Sequence, residues 1–119
     1  MAEGSQLREV AMTSDLEITP RDVKQRLDRG DQFLLVDVRE PWEHDLCRID
    51  GAKLVPLGTL PSSLPLFERA DDIVVYCHHG RRSLDAVAWL RAQGVEGARS
   101  MVGGIERWSS EIDPAVPRY

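Results

Sequence analysis

The sequence predicts an α/β domain: a mainly parallel sheet of about five strands, flanked by helices on both faces. Three observations predict it. Residues 33–38 (FLLVDV) and 73–76 (IVVY) are apolar runs without polar alternation, as expected of strands covered on both faces. Each run is followed by a helix start. At 119 residues and 42% hydrophobic, the chain is long enough to bury one real core.

The elements follow in order. Residues 1–14 have no convincing period and read as a flexible lead-in or the end of a linker, leaving 15–119 as the domain. Residues 16–18 form a short strand. Thr19 then caps a helix in which Pro20 takes the first position, Asp22 complements the dipole, and Gly30 ends the run. Val23 and Leu27 share one face of it. Residues 33–38 give the next strand, 41–46 a short helix, Asp50-Gly51 a turn, and 53–56 a strand. Residues 57–70 read as a loop with at most a short helix, because Gly58, Pro61 and Pro65 interrupt it. Residues 73–76 are the most buried strand. From Ser83 to Gln93 the apolar stripe is Leu84, Val87, Ala88 and Leu90, and Gly94 stops the helix. A last strand over 98–102 leads into Gly103-Gly104 and a short helix through Trp108.

Composition excludes several function classes. A net charge of −5 argues against general nucleic-acid binding and gives no reason to expect a membrane surface. No apolar stretch approaches the roughly 20 residues that span a bilayer. The first residues lack the hydrophobic core of a signal peptide, and two cysteines do not suggest a disulfide scaffold, so a reducing, cytoplasmic setting is expected.

The chemistry concentrates at Cys77-His78-His79-Gly80-Arg81-Arg82-Ser83. Cys77 falls where a parallel strand ends and a helix begins, the side of an open sheet on which ligands bind. Unpaired N–H groups and the helix dipole there favour the thiolate and a neighbouring anion. Gly80 lets the loop curl so that successive N–H groups converge. Arg81 and Arg82 add fixed positive charge and fork-shaped donors suited to sulfur or phosphorus oxyanions. A buried structural cysteine closing a strand is the plainer alternative, but His-His-Gly-Arg-Arg is an unusual continuation for one.

These residues resemble the active-site loop of rhodanese-like sulfurtransferases, in the pattern Cys-x-x-Gly-x-Arg-Ser. Asp37-Val38-Arg39-Glu40, the Gly51-Ala52 turn, and Gly103-Gly104-Ile105 with Trp108 resemble further family segments in the same order. The resemblance implies that Cys77 takes a sulfane sulfur from a donor such as thiosulfate or a persulfide, holds it as a persulfide, and passes it to a nucleophilic acceptor. It implies that the backbone from His78 to Arg82 wraps the terminal sulfur, that Arg81 and Arg82 attract the donor, and that no metal or organic cofactor takes part. Dual-specificity phosphatases of similar architecture have a loop one residue longer, with arginine where this chain has Ser83. A phosphatase or arsenate reductase is therefore the lesser alternative, and a non-catalytic binding module the competing class. Cys47-Arg48-Ile49 and the tail Asp113 to Tyr119 resemble the rhodanese domain of fusions with adenylyltransferases for ubiquitin-like sulfur carriers, which makes such a carrier and an adenylyltransferase the expected partners.

Other residues receive plainer readings. Cys47 is a buried small hydrophobe or a resolving thiol for Cys77. Asp37 anchors loop N–H groups, and Arg39 is its ion-pair partner or lines the mouth. Cys77, His78 and His79 are too close in sequence to converge on one metal ion, His44 is too isolated to help them, and both loop histidines contribute backbone N–H groups and a partly positive rim. Glu40 and Glu43 read as a solvated helix face. Trp42, Trp89 and Trp108 read as core or rim packing.

Overall fold

The computed structural model describes residues 15–119, and the expected lead-in 1–14 lies outside the described residues. Five parallel strands form one sheet in the order β1-β5-β4-β2-β3: β1 (Glu17–Ile18), β2 (Leu34–Asp37), β3 (Lys53–Leu54), β4 (Ile73–Tyr76) and β5 (Ala98–Met101). The helices are α1 (Pro20–Arg29), α2 (Pro41–Leu46), α3 (Leu64–Glu68), α4 (Arg81–Ala92) and α5 (Gly104–Glu111). The expected α/β class, strand number and direction are all present. No described helix is long and apolar enough to cross a membrane.

The continuous apolar runs are explained by two cores, one on each side of the sheet. Val36, Val38, Ile73 and Val75 face Phe67 of α3 and Ala86, Val87 and Leu90 of α4. Leu35, Val74 and Tyr76 face Val23 of α1 and Ile105 and Trp108 of α5. Period-two alternation therefore persists along β2 and β4, but both faces are dry. The central strand β4 is fully buried throughout.

Local signals account for the helix boundaries. Thr19 Oγ1 accepts from the Asp22 N–H at 3.1 Å, Pro20 occupies the first turn, and Gly30 closes α1 at φ 74°. Three expectations change. Strand β3 ends at Leu54. Residues 57–70 hold two short 3-10 turns (Leu57–Thr59 and Pro61–Ser63) and the five-residue α3, since each proline suits a first helical turn. Helix α4 begins at Arg81 rather than Ser83, with Gly80 at φ 105° in the capping position. Its buried stripe is Ser83, Ala86, Val87 and Leu90, spaced three and four residues apart, so Ala88 is exposed. The polar member of that stripe, Ser83, faces the sulfur of Cys77.

Register places the site. Asp37 pairs with Tyr76, and the Val38 N–H bonds to Tyr76 O at 3.0 Å, so the carboxyl ends of β2 and β4 lie side by side. The segments that leave them, Val38 to Leu46 and Cys77 to Ser83, share one end of the sheet.

Candidate active site

Cys77 is 1% exposed, and its Sγ lies against two backbone N–H donors and one hydroxyl. The N–H of Gly80 reaches it at 3.1 Å and that of Ser83 at 3.3 Å, with the Ser83 hydroxyl at 3.4 Å. Ser83 Oγ is in turn 2.7 Å from Ser100 Oγ on β5. The N–H groups of the loop converge on Sγ. The non-helical part closes at Gly80, and the amides on the sulfur belong to Gly80 and to Ser83 in the first turn of α4.

The loop holds this curl because its carbonyls are occupied elsewhere. The Ile105 N–H donates to Cys77 O at 2.9 Å, and the Glu106 N–H to His78 O at 3.0 Å. The first amides of α5 thus bind backbone carbonyls, which turns the N–H groups toward the sulfur. Such an approach demands glycine at two places. A Cβ on Gly104, at φ 60°, would lie within 2.4 Å of His78 O and 2.5 Å of Cys77 O, and one on Gly80 would lie 3.1 Å from Gly103 N. The Gly103-Gly104-Ile105 segment is therefore a backbone clamp on the Cys77 loop.

The two arginines diverge. Arg81 is exposed at the first position of α4. Arg82 donates from both terminal nitrogens to the Glu43 carboxylate, at 2.8 and 3.0 Å. Glu43 is 4% exposed, which corrects its reading as a solvated face: α2 turns it inward, where Arg82 is its counter-charge. The Arg82 bonds hold the Glu43 pKa down at about 2 against the opposing effect of burial, and Glu43 raises that of Arg82. Glu43 also closes a capping box with Glu40 at the start of α2.

Behind this pair is a fully buried one. Asp37 and Arg39 are both inaccessible, with Arg39 Nε 2.9 Å from Asp37 Oδ1 and a second terminal nitrogen 2.7 Å from Oδ2. Asp37 Oδ1 also accepts the Arg39 N–H at 3.0 Å, so the carboxylate anchors backbone as expected. Arg39 is its ion-pair partner and does not line the mouth. Burial opposes the charge on Arg39, but the bonds to Asp37 and Tyr119 outweigh it and raise the pKa. His44 is not isolated: its Nδ1 is 2.9 Å from Asp37 Oδ2. Cys47 is buried as a small hydrophobe, its Sγ 3.9 Å from Arg39 and its carbonyl bonded to the same guanidinium. Both cysteines are free thiols.

Sequence reasoning missed Tyr119. Its hydroxyl accepts from Arg39 at 2.7 Å and donates to Glu43 Oε2 at 2.6 Å, joining the two ion pairs. Its ring stacks on His78 with centroids 3.9 Å apart and planes 6° off parallel, and the His79 ring also stacks on His78, at 3.9 Å and 27°. Burial, with His79 next, lowers the His78 pKa. Trp42, expected in core or rim packing, is 61% exposed with its edge toward Tyr119. Trp89 packs partly buried against the α3/α4 core and Trp108 within the opposite one. Among the described residues no group of three or more His, Cys, Asp or Glu is placed to hold a metal ion.

The chain is similar in sequence and fold to known proteins. The rhodanese-like domain model matches residues 19–111. A Mycobacterium tuberculosis protein named "Probable adenylyltransferase/sulfurtransferase MoeZ" is 38% identical over 104 residues, 86% of this chain but 26% of that protein. The chain thus spans about a quarter of that relative's length. A protein named "Sulfurtransferase" from Allochromatium vinosum is 34% identical, covering 84% of this chain and 94% of its own length. The human single-domain sulfurtransferase TSTD1 superposes with a TM-score of 0.72 at 26% identity, over 81% of this chain and 96% of that one. With the strand-end cysteine, the glycine clamp and the family match all falling on the same residues, the chain belongs to the rhodanese-like domain family.

Proposed function

We propose that this domain is a sulfurtransferase that carries sulfane sulfur as a persulfide on Cys77. The observation that supports this most directly is the set of Gly80 and Ser83 N–H groups and the Ser83 hydroxyl around Sγ. Donors fixed before reaction suit the negative charge that the terminal sulfur of a persulfide carries. The Cys77 thiolate attacks the outer sulfur of thiosulfate, the S–S bond breaks, and sulfite leaves with the electron pair. A persulfidated protein donor serves the same step, with a thiolate leaving. An acceptor nucleophile then takes the outer sulfur, and Cys77 leaves as thiolate.

For the acceptor we propose a ubiquitin-like sulfur carrier activated by an adenylyltransferase. The support is the likeness to MoeZ, whose name joins the two activities, and to a Bacillus subtilis protein named "Putative sulfur carrier protein YrkF", 30% identical over 82% of this chain. Toward the carrier the persulfide is itself the nucleophile: its outer sulfur would displace AMP from the acyl adenylate. A thiol would then attack Cys77 Sγ, releasing the carrier's thiocarboxylate and leaving Cys77 in a mixed disulfide that a second thiol reduces.

Thiosulfate treatment is expected to raise the intact mass by one sulfur atom, reversibly with a reductant, and Cys77→Ser is expected to abolish both this gain and transfer to cyanide. Full activity in Cys77→Ser would overturn the mechanism. Persulfidated protein that fails to convert an adenylated carrier, read by mass spectrometry, would overturn the acceptor alone.

A further inference from the structure

The segment after α5 returns to the active-site loop, and its contacts are placed unlike those of a trailing tail. Val116 is buried in the core on the α1/α5 side, and Ser109 Oγ donates to its carbonyl. Arg118 pairs with Glu106, whose own N–H holds His78 O. Tyr119 then lays its ring on the His78 imidazole and sets its hydroxyl between Arg39 and Glu43.

We propose that Tyr119 is a positioning residue that holds the Cys77 loop in its sulfur-binding curl, through its ring on His78 and through its hydroxyl on Glu43 and hence on Arg82. The two connections enter the loop from opposite ends. His78 directly follows Cys77, and Arg82 directly precedes Ser83, whose N–H is one of the donors on Sγ. The hydroxyl has a fixed polarity there. Arg39 donates only, so the phenol accepts from it and gives its own proton to the Glu43 carboxylate. Burial first, and Glu43 next, raise the phenol pKa to about 12, so this donor persists across the neutral range. The buried Asp37–Arg39 pair anchors the far side of the hydroxyl. One side chain thereby ties a buried strand-end pair to both ends of the loop, adding to the α5 clamp and the Glu43–Arg82 pair.

The consequence for turnover rests on the sulfur-transfer reading; the consequence for loop order does not. Amide hydrogen exchange by mass spectrometry on the full chain separates the two, because it needs no activity. In Tyr119→Ala, peptides covering Cys77 to Leu84 are expected to exchange at least about threefold faster while those covering α1 keep their rate. Tyr119→Phe, which keeps the ring but loses the hydroxyl, is expected to fall between, and sulfur transfer is expected to drop in the same order with its loss in kcat rather than KM. Unchanged exchange across the loop in Tyr119→Ala overturns the proposal. So does faster exchange in every peptide alike, which is the mark of a residue that only adds global stability.

Discussion

Glu43 holds both terminal nitrogens of Arg82 while sitting 4% exposed on a short helix 39 residues earlier in the chain. The geometry is the paired fork that makes arginine–carboxylate contacts strong and directional. Arg82 therefore enters the site with its charge countered by Glu43 and its orientation set from α2. The loop charge that the sequence appeared to offer as two free arginines is in effect one, at the exposed Arg81.

This pair should be visible in acid. The Glu43 pKa is lowered to about 2 in the fold, against an ordinary glutamate value of about 4.3. A folded pKa below the unfolded one contributes stability that is fully present above the unfolded value and is lost as pH falls toward the folded one. The window is therefore between about pH 4.5 and 2. The contribution is at most about 3 kcal/mol, and less because Arg82 is partly screened by solvent. Urea unfolding as a function of pH is expected to show the difference between the native chain and Glu43→Gln shrinking across this window. A difference that stays constant from pH 5 to 2 would show that the carboxylate's charge is not what stabilises the fold.

Releasing Arg82 should change how the site receives an anion. In Glu43→Gln the amide oxygen still accepts from Arg82 and Tyr119, but the neutralising charge is gone. The KM for thiosulfate is expected to fall by about threefold or more, with the larger effect at low salt, as follows from screening of exposed charges. Steady-state rates at two ionic strengths measure it. A KM that rises or stays level would mean that the ion pair does not limit donor attraction.

How much of this was legible differs by range of interaction. The sheet and the Cys77 loop could be read because their signals are local: an apolar run, one glycine, and a helix start within twelve residues of Ile73. Glu43 was misread because PWEHDL has the composition of an exposed helix, and the charge that buries its third residue lies in another element. His44 and Tyr119 share that cause, since they meet Asp37 and Arg39 only once α2 and the segment after α5 fold back onto the end of β2. A carboxylate closing a buried strand with an arginine two residues on, Asp37-Val38-Arg39, was the available hint that further polar partners had to converge there.

The glycine clamp predicts an unequal cost for two similar substitutions. Gly104 at φ 60° would bring a Cβ within 2.4 Å of a backbone carbonyl oxygen, whereas Gly94 at φ 90° has no atom within 4 Å of that position. Gly94→Ala should cost about 1 kcal/mol from backbone strain alone. Gly104→Ala should cost about 3 kcal/mol or more, because two backbone carbonyls must also move, which for a domain of this size lowers Tm by more than about 10 °C. Thermal unfolding of the two variants checks the ranking. Equal losses would mean that α5 does not clamp the loop.

Ser83 and Ser100 make the last prediction, because their hydroxyls separate what the sulfur needs from what the core needs. Both residues are inaccessible, and each hydroxyl is 2.7 Å from the other. Ser83→Ala removes one donor from Sγ and leaves the Ser100 hydroxyl buried without its partner, a loss of about 1–2 kcal/mol. Ser100→Ala leaves the Ser83 hydroxyl 3.4 Å from Sγ, with its single proton free to point at the sulfur. The double alanine variant removes both hydroxyls together, so its stability should recover to within about 1 kcal/mol of the native chain. Its rate of persulfide formation should nonetheless match that of Ser83→Ala, slower by about fivefold than the native chain, since one of three donors on the sulfur is missing in both. Denaturant unfolding and single-turnover sulfur loading measure the two quantities on the same samples. Recovery of rate along with stability in the double variant would mean that the Ser83 hydroxyl serves packing and not the sulfur.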